Sequence, residues 1–266
     1  MKTFIITLPN NPHSVKSTQQ AIKSARDVGY GETIEHFNGI NPGEWVDILP
    51  HDNSFQAYNR PDNVGACFAS HYLLWKKCVE LNEPILILEH DAIFVENIPD
   101  IDFNMCITFG RPSYIRPDYL FFKETIEGVQ PLTQHNFLGH HAYALKPEAA
   151  KIFIKDVEER VLSANDVWID TYTYTWLQEY RPFPIIADTE FSTIQLDRPI
   201  SEYNTKKAPI LRESPIAGFR RKYPDLSCWK SGTVEHRYIL DHFYHVLYHP
   251  QSKRFIETES GSVNII

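Results

Sequence analysis

The sequence has few cysteines and no long hydrophobic run. Its 266 residues include four cysteines, none of them in Cys-x-x-Cys spacing, which argues against a zinc ribbon and against a disulfide scaffold. The longest apolar stretches, such as Ile85–Leu88, are far shorter than the roughly 20 residues that span a bilayer. The N-terminal segment also lacks the pattern of a secretory leader. We therefore expect a cytoplasmic protein, working in the cytosol or peripherally at the inner membrane.

A Gly-rich phosphate loop, internal repeats and low-complexity tracts are absent as well. Hydrophobic residues make up 42% of the chain, enough for one large core. The net charge of -8 disfavours binding of nucleic acid by the body of the protein. Basic residues nevertheless cluster between positions 206 and 230, and this segment would suit either a diphosphate or a polyanionic acceptor.

The order of hydrophobic patterns predicts an α/β fold. Strands are expected near residues 3–8, 35–42, 85–91, 105–110 and 142–145, with helices over 14–28, from about 62 to 81 and from 146 onward. Strands that alternate with helices indicate a mixed, mostly parallel central sheet. We expect residues 1–198 to form the main domain, and residues 199–266 to complete it with a basic loop and a helix over 234–248.

The most informative stretch follows the third predicted strand. The apolar run Ile85–Leu88 leads directly into Glu89, His90 and Asp91. If the strand continued, Glu89 and Asp91 would share one face while His90 pointed to the other. Two carboxylates at the carboxyl end of a buried strand suit a hard divalent cation such as Mn²⁺ or Mg²⁺, held together with a diphosphate.

Three segments together resemble glycosyltransferase family 25, which includes lipopolysaccharide sugar transferases. The resemblance covers roughly residues 1–195, and the matching positions are Gly65, Cys67, Ser70, His71, Trp75, Leu88, Glu89 and Asp91. Two departures stand out. His90 occupies the place of the middle acid in the family's Glu-Asp-Asp, and the arginine expected after the first Leu-Pro is absent, with Asn10 in that region.

The resemblance implies a GT-A-like fold and an inverting transfer from a nucleoside diphosphate sugar, with a UDP-sugar as the family expectation. It implies that the metal is held by Asp91, with Glu89 beside it or in its outer shell, and that His242 or His245 could add a ligand from near the C-terminus. Residues expected to bind the donor are Thr7, Asn10, Ser70, His71 and Glu89.

Inversion requires a base that removes the proton of the acceptor hydroxyl. Asp166 is the first candidate, because the family carries an aspartate in a similar place, and Asp170 is the second. Asp166 could instead cap the helix that follows it.

The sequence leaves the identity of the acceptor open. A lipopolysaccharide or another surface glycan is the usual class for bacterial relatives. A hydroxymethylated cytosine in viral DNA is the alternative suggested by the basic segment, and such a base would have to be flipped out of a duplex. A further possibility is an inactive sugar-nucleotide-binding protein.

Overall fold

The computed structural model describes residues 1–50, 55, 61–111, 127–132 and 136–188, together with the backbone of four strands between residues 235 and 265. The helices are α1 (Pro12–Asp27), α2 (Pro61–Leu81), α3 (Pro147–Glu159) and the short α4 (Asn165–Trp168), with a 3-10 helix at Glu44–Asp47. The strands are β1 (Lys2–Thr7), β2 (Ile34–Asn38), β3 (Ile85–Leu88), β4 (Ala92–Phe94), β5 (Cys106–Thr108), β6 (Gly110–Arg111), β7 (Gly128–Pro131), β8 (Ala142–Leu145), β9 (Leu177–Arg181), β10 (Ile185–Ala187), β11 (Glu235–Tyr238), β12 (Tyr244–His249), β13 (Arg254–Glu259) and β14 (Ser262–Ile265).

A seven-stranded sheet in the order β2-β1-β3-β8-β5-β9-β7 forms the centre of the fold. The β1–β2, β1–β3 and β5–β9 pairs are parallel, whereas β8 and β7 run antiparallel to their neighbours. Five of the seven strands consequently point in one direction. The predicted α/β class with a mixed, mostly parallel sheet is confirmed.

Both faces of the central strands are buried. In β1, Phe4 and Ile6 belong to the core that contains Trp75 of α2, whereas Ile5 packs in a second core with Ala21 of α1. The same alternation holds in β3, all four residues of which are fully buried. Because each face is covered by a helix, the strands are continuous apolar runs without polar alternation.

The helix boundaries follow local capping chemistry. The Asn11 side chain accepts hydrogen bonds from the backbone N–H groups of His13 and Ser14, which begins α1. Shortly after the end of this helix, Gly29 adopts a left-handed φ of 78°, as expected for glycine at a helix end. Pro147 lies in the first turn of α3, where its missing N–H costs little.

Two predictions about secondary structure are wrong. Strand β3 ends at Leu88, and His90 and Asp91 form a turn in which the backbone N–H of Ala92 donates to the Glu89 carbonyl at 3.1 Å. The directions of Glu89 and Asp91 are therefore not set by strand alternation, because the chain turns there to enter β4.

The predicted helix over 234–248 is replaced by β11 and β12, the first two strands of a four-stranded antiparallel sheet. The segment is rich in aromatic and β-branched residues, which favour strands. The basic cluster between residues 206 and 230 lies outside the described residues. In the part of the chain that the structure describes, no helix combines the length and the apolar character needed to cross a membrane.

Candidate active site

A cavity of about 240 Å³ lies at the carboxyl ends of the parallel strands β1, β2 and β3. Its walls come from the loop after β1, the loop after β2, the first half of α2 and the turn after β3. The side chains that reach it include Asn10, Asn41, Asn63, Cys67, Ser70, His71, Glu89, His90 and Asp91. Ligands of open α/β sheets bind at this edge, just outside the carboxyl ends of the strands.

Ser70 fixes the wall that α2 contributes. Its hydroxyl donates to the carbonyl of Ala66 at 2.7 Å and accepts from the backbone N–H of Ile40 at 2.9 Å. The helix is thereby connected to the loop after β2. Ser70 was predicted to bind the donor, and although it lines the cavity, both of these hydrogen bonds are internal to the protein.

Glu89 lies between two histidines. Its Oε1 is 2.9 Å from Nδ1 of His140 and 3.4 Å from Nε2 of His71. Burial alone would raise the pKa of Glu89, but the contacts with His140 and His71 hold it well below the usual range. Burial lowers the pKa of His71 to about 4, with His140 adding to the effect. Glu89 is therefore an anion next to a neutral His71.

A buried tyrosine, Tyr143, packs against both His71 and His140. The Tyr143 hydroxyl accepts from Nε1 of Trp75 at 2.8 Å and lies 3.0 Å from Nδ1 of His71. Its ring also stacks on His140, with the ring centroids 5.1 Å apart. His71 and Trp75 lie one helical turn apart on α2, so the serine, histidine and tryptophan recognised in the sequence all hold this wall in position.

Asp91 has a buried carboxylate oxygen, Oδ1, that accepts no hydrogen bond from the described residues. The residue as a whole is 7% exposed. Burial, and next the negative charge of Glu89, raises the pKa of Asp91 to about 7. A cation close to Asp91 would favour the ionised carboxylate and offset both effects.

The two candidate bases have different surroundings. Asp166 is the second residue of α4, and its pKa is raised by burial and by the charge of Glu89, while His140 opposes the shift. The Asp170 carboxylate accepts from the backbone N–H of Thr173 at 2.8 Å and from Arg160 at 3.3 Å. Asp166 thus faces the histidine and glutamate group, whereas Asp170 is engaged in holding the chain after α4.

The remaining predicted residues fall in different places. Asn10 lines the cavity. Thr7 does not, because its hydroxyl lies 3.0 Å from that of Thr18 on the side of β1 that α1 covers. His242 lies outside the described residues. His245 lies in β12, so the helical face that suggested a C-terminal metal ligand is not formed.

Two residues at the site, His140 and Cys67, were not predicted to have a role there. His140 reaches Glu89 because β8 runs antiparallel beside β3, with the Glu89 backbone N–H donating to the His141 carbonyl at 2.8 Å. Cys67 lies one helical turn before His71. The available signals were the position of His140 just before a predicted strand and the i,i+4 spacing of Cys67 and His71.

Comparison with known protein families identifies the family of this chain. The sequence profile of "Glycosyltransferase family 25 (LPS biosynthesis protein)" matches residues 1–169. The chain belongs to this family and is a glycosyltransferase. The matched region contains the cavity, both histidines and Asp166.

One similar solved structure is described as "Crystal structure of a glycosyltransferase involved in the glycosylation of the major capsid of PBCV-1". It shows 10% sequence identity and a TM-score of 0.40, with 77% of this chain and 100% of that chain covered. Among curated proteins, none matches this chain.

Proposed function

We propose that this glycosyltransferase moves a sugar from a nucleoside diphosphate sugar, with UDP as the first choice of nucleotide, to a hydroxyl of lipopolysaccharide or another surface glycan. The reaction proceeds with inversion at the anomeric carbon. The observation that carries the proposal is the Oδ1 atom of Asp91, which is buried and accepts no hydrogen bond from any described residue, beside a cavity at the carboxyl ends of three parallel strands.

The residues at this end of the cavity fit a divalent cation, Mn²⁺ or Mg²⁺. Asp91 offers an oxygen that accepts no hydrogen bond from the described residues, and carboxylate oxygens are the ligands that such ions prefer. Once bound, the ion would neutralise charge on the leaving diphosphate. Glu89 lies beside Asp91 with one oxygen already in contact with His140, so its role is to keep the site negative and to fix the histidines.

Asp166 is the proposed general base. A carboxyl group with a raised pKa holds a proton better than an ordinary carboxylate does, which suits the removal of a proton from an acceptor hydroxyl. Burial and the charge of Glu89 raise the pKa of Asp166, whereas the Asp170 carboxylate is occupied by Thr173 and Arg160.

The first test measures thermal stabilisation by a panel of nucleoside diphosphate sugars, with and without Mn²⁺. A ligand that binds only the folded state stabilises it by RT ln(1 + [L]/Kd), and this raises the melting temperature. We expect one donor to stabilise the protein only when Mn²⁺ is present, and Asp91→Asn to abolish this metal dependence. The matched control is Asp102→Asn, which changes an exposed carboxylate paired with Lys146. No stabilisation by any donor would contradict the proposal.

Hydrolysis of the same donor separates an enzyme from an inactive binding protein. Metal-dependent release of the nucleoside diphosphate that is lost in Asp91→Asn supports the transferase. Binding without any release in the presence of glycan acceptors would support the inactive binding protein.

The acceptor is tested by offering lipopolysaccharide and duplex DNA with hydroxymethylated cytosine in parallel. We expect transfer to the glycan. Transfer to the DNA alone would overturn the proposed acceptor and favour the alternative that the basic segment 206–230 suggests.

A further inference from the structure

We propose that Cys67, His71 and Glu89 form a second cation site in the wall of the cavity, suited to a borderline-soft divalent ion such as Zn²⁺ or Co²⁺. One ligand atom from each of these residues lies within 4.8 Å of the other two. Among the described residues, this is the group of three metal-ligating side chains that meets such a distance limit. The site is separate from Asp91, and its occupation does not depend on the proposed sugar donor.

Two of the three ligands lie on a helix, and the third directly follows a central strand. Cys67 and His71 are four residues apart on α2, and residues at that spacing lie on the same face of a helix. Glu89 immediately follows β3, the strand against which this helix packs. Ligands carried by a helix and by the end of a central strand are positioned more precisely than ligands on a loop.

His71 is already oriented as a metal ligand. Its ring is fully buried, and Nε2 has no hydrogen-bond partner in the described part of the chain, with Glu89 Oε1 as a neighbour at 3.4 Å. The opposite nitrogen, Nδ1, lies 3.0 Å from the Tyr143 hydroxyl. A histidine that binds a metal through one nitrogen usually donates its other N–H to a fixed partner, and Tyr143 is held in place by Trp75.

The donor set selects the class of ion. Thiolate and imidazole ligands favour Zn²⁺ and Co²⁺ over Mg²⁺. Bonds of about 2.0–2.3 Å in a tetrahedral site put neighbouring ligand atoms about 3.5 Å apart, so the group must contract by roughly 1 Å through side-chain rotation. Binding also requires the Cys67 thiol to release its proton to solvent, leaving a thiolate bonded to the ion.

Electrostatics around the cysteine favour a cation. After burial, the charges of Glu89, Asp166 and Asp91 are the causes that raise the pKa of Cys67. This negative potential disfavours a bare thiolate, and for the same reason it favours a thiolate bonded to a divalent ion. Three protein ligands leave a fourth tetrahedral position, and since Cys67, His71 and Glu89 all line the cavity, that position is accessible to a small ligand.

Titration of the purified full-length protein with Co²⁺, in the absence of any donor, tests the proposal. We expect a thiolate-to-Co²⁺ charge-transfer band in the near ultraviolet that disappears in Cys67→Ser. The matched control is Cys78→Ser, a thiol farther along the same helix, which should keep the band. Asp91→Asn should also keep it.

The outcomes separate this proposal from the proposed function. Absence of the band in the unaltered protein, or its survival in Cys67→Ser, would overturn the cation site. Loss of the band in Asp91→Asn would show a single shared ion and would overturn the separate site. The donor-binding test depends on Asp91 and Mn²⁺, and can therefore succeed or fail independently.

A measurement on the unaltered protein covers the case in which Cys67→Ser does not fold. Alkylation of Cys67, located by peptide mapping, should slow at least tenfold when Zn²⁺ is added. An unchanged labelling rate would contradict the proposal.

Discussion

Nδ1 of His140 lies 2.9 Å from Oε1 of Glu89, across a separation of 51 residues in the chain. The contact exists because β8 pairs antiparallel with β3, so that the residues just before β8 lie beside those just after β3. It fixes one oxygen of Glu89 within the protein. Asp91, two residues later, has a buried oxygen that accepts no hydrogen bond from the described residues.

Glu89→Gln should lower donor turnover by about 10–100-fold, the usual effect of losing a group that orients the residues at a metal site. Glutamine preserves the shape of the side chain but removes the charge that holds His140 and His71. The measurement is nucleotide release at saturating donor and Mn²⁺. The control is Glu83→Gln, which changes a partly exposed carboxylate paired with Lys2. Equal turnover in the two variants would contradict the role assigned to Glu89.

Short-range patterns predicted the elements that carry the site. The apolar run before Glu89 predicted β3, and the helical spacing after Asp62 predicted α2, because both patterns depend on neighbours within a few residues. The turn at His90 and Asp91 was missed, since a strand and a sharp turn can both follow an apolar run. Both carboxylates line the cavity, although the reason given for their common direction was wrong.

Contacts between residues far apart in the chain could not be predicted from such local patterns. The contact between His140 and Glu89 requires the order and register of strands that are far apart in sequence, and hydrophobic periodicity contains neither. The C-terminal segment shows a related difficulty. Its apolar residues recur at spacings compatible with a helix, and the strand β12 forms because its neighbours, β11 and β13, supply a sheet.

Asp166→Asn should lower kcat by about 10²–10⁴-fold, the range expected for loss of a general base. The free energy of unfolding should stay equal or rise slightly, because burial, together with repulsion from Glu89, disfavours the charged carboxylate by more than His140 stabilises it. Steady-state kinetics with saturating donor and acceptor, combined with urea unfolding, separate the two effects. A variant that retains its activity would exclude Asp166 as the base.

Asp170→Asn should give the opposite result. The carboxylate accepts hydrogen bonds from Arg160 and from the backbone and side chain of Thr173, and hydrogen bonds to a charged group are worth about 1.5–3 kcal/mol. We expect the free energy of unfolding to fall by about 1–3 kcal/mol, with kcat of the folded fraction nearly unchanged. A large loss of kcat without loss of stability would instead identify Asp170 as the base.

Gly65→Ala tests how closely the 3-10 helix packs on α2. Alanine favours a helix over glycine by about 1 kcal/mol, but a Cβ atom at Gly65 would lie 2.5 Å from the indole ring of Trp45. Trp45 is buried, and its Nε1 donates to Asp62 at 3.2 Å, so the ring cannot move away without losing that bond. Overpacking of this kind typically costs about 1–3 kcal/mol.

A contact of 2.5 Å belongs to the upper part of that range, about 2–3 kcal/mol, so we expect Gly65→Ala to lower the free energy of unfolding by about 1–2 kcal/mol once the gain in helix propensity of about 1 kcal/mol is subtracted. The displaced ring lies under the start of α2, which carries Asn63 and Ala66 into the cavity, so the KM for the donor should rise more than kcat falls. Gly31→Ala is the control, because a Cβ there meets no atom within 4 Å, and its effect should stay within about 0.5 kcal/mol. Equal stability of Gly65→Ala and Gly31→Ala in urea unfolding would contradict this prediction. It would mean that the Trp45 ring moves aside at little cost, and that its packing against Gly65 does not position the α2 wall of the cavity.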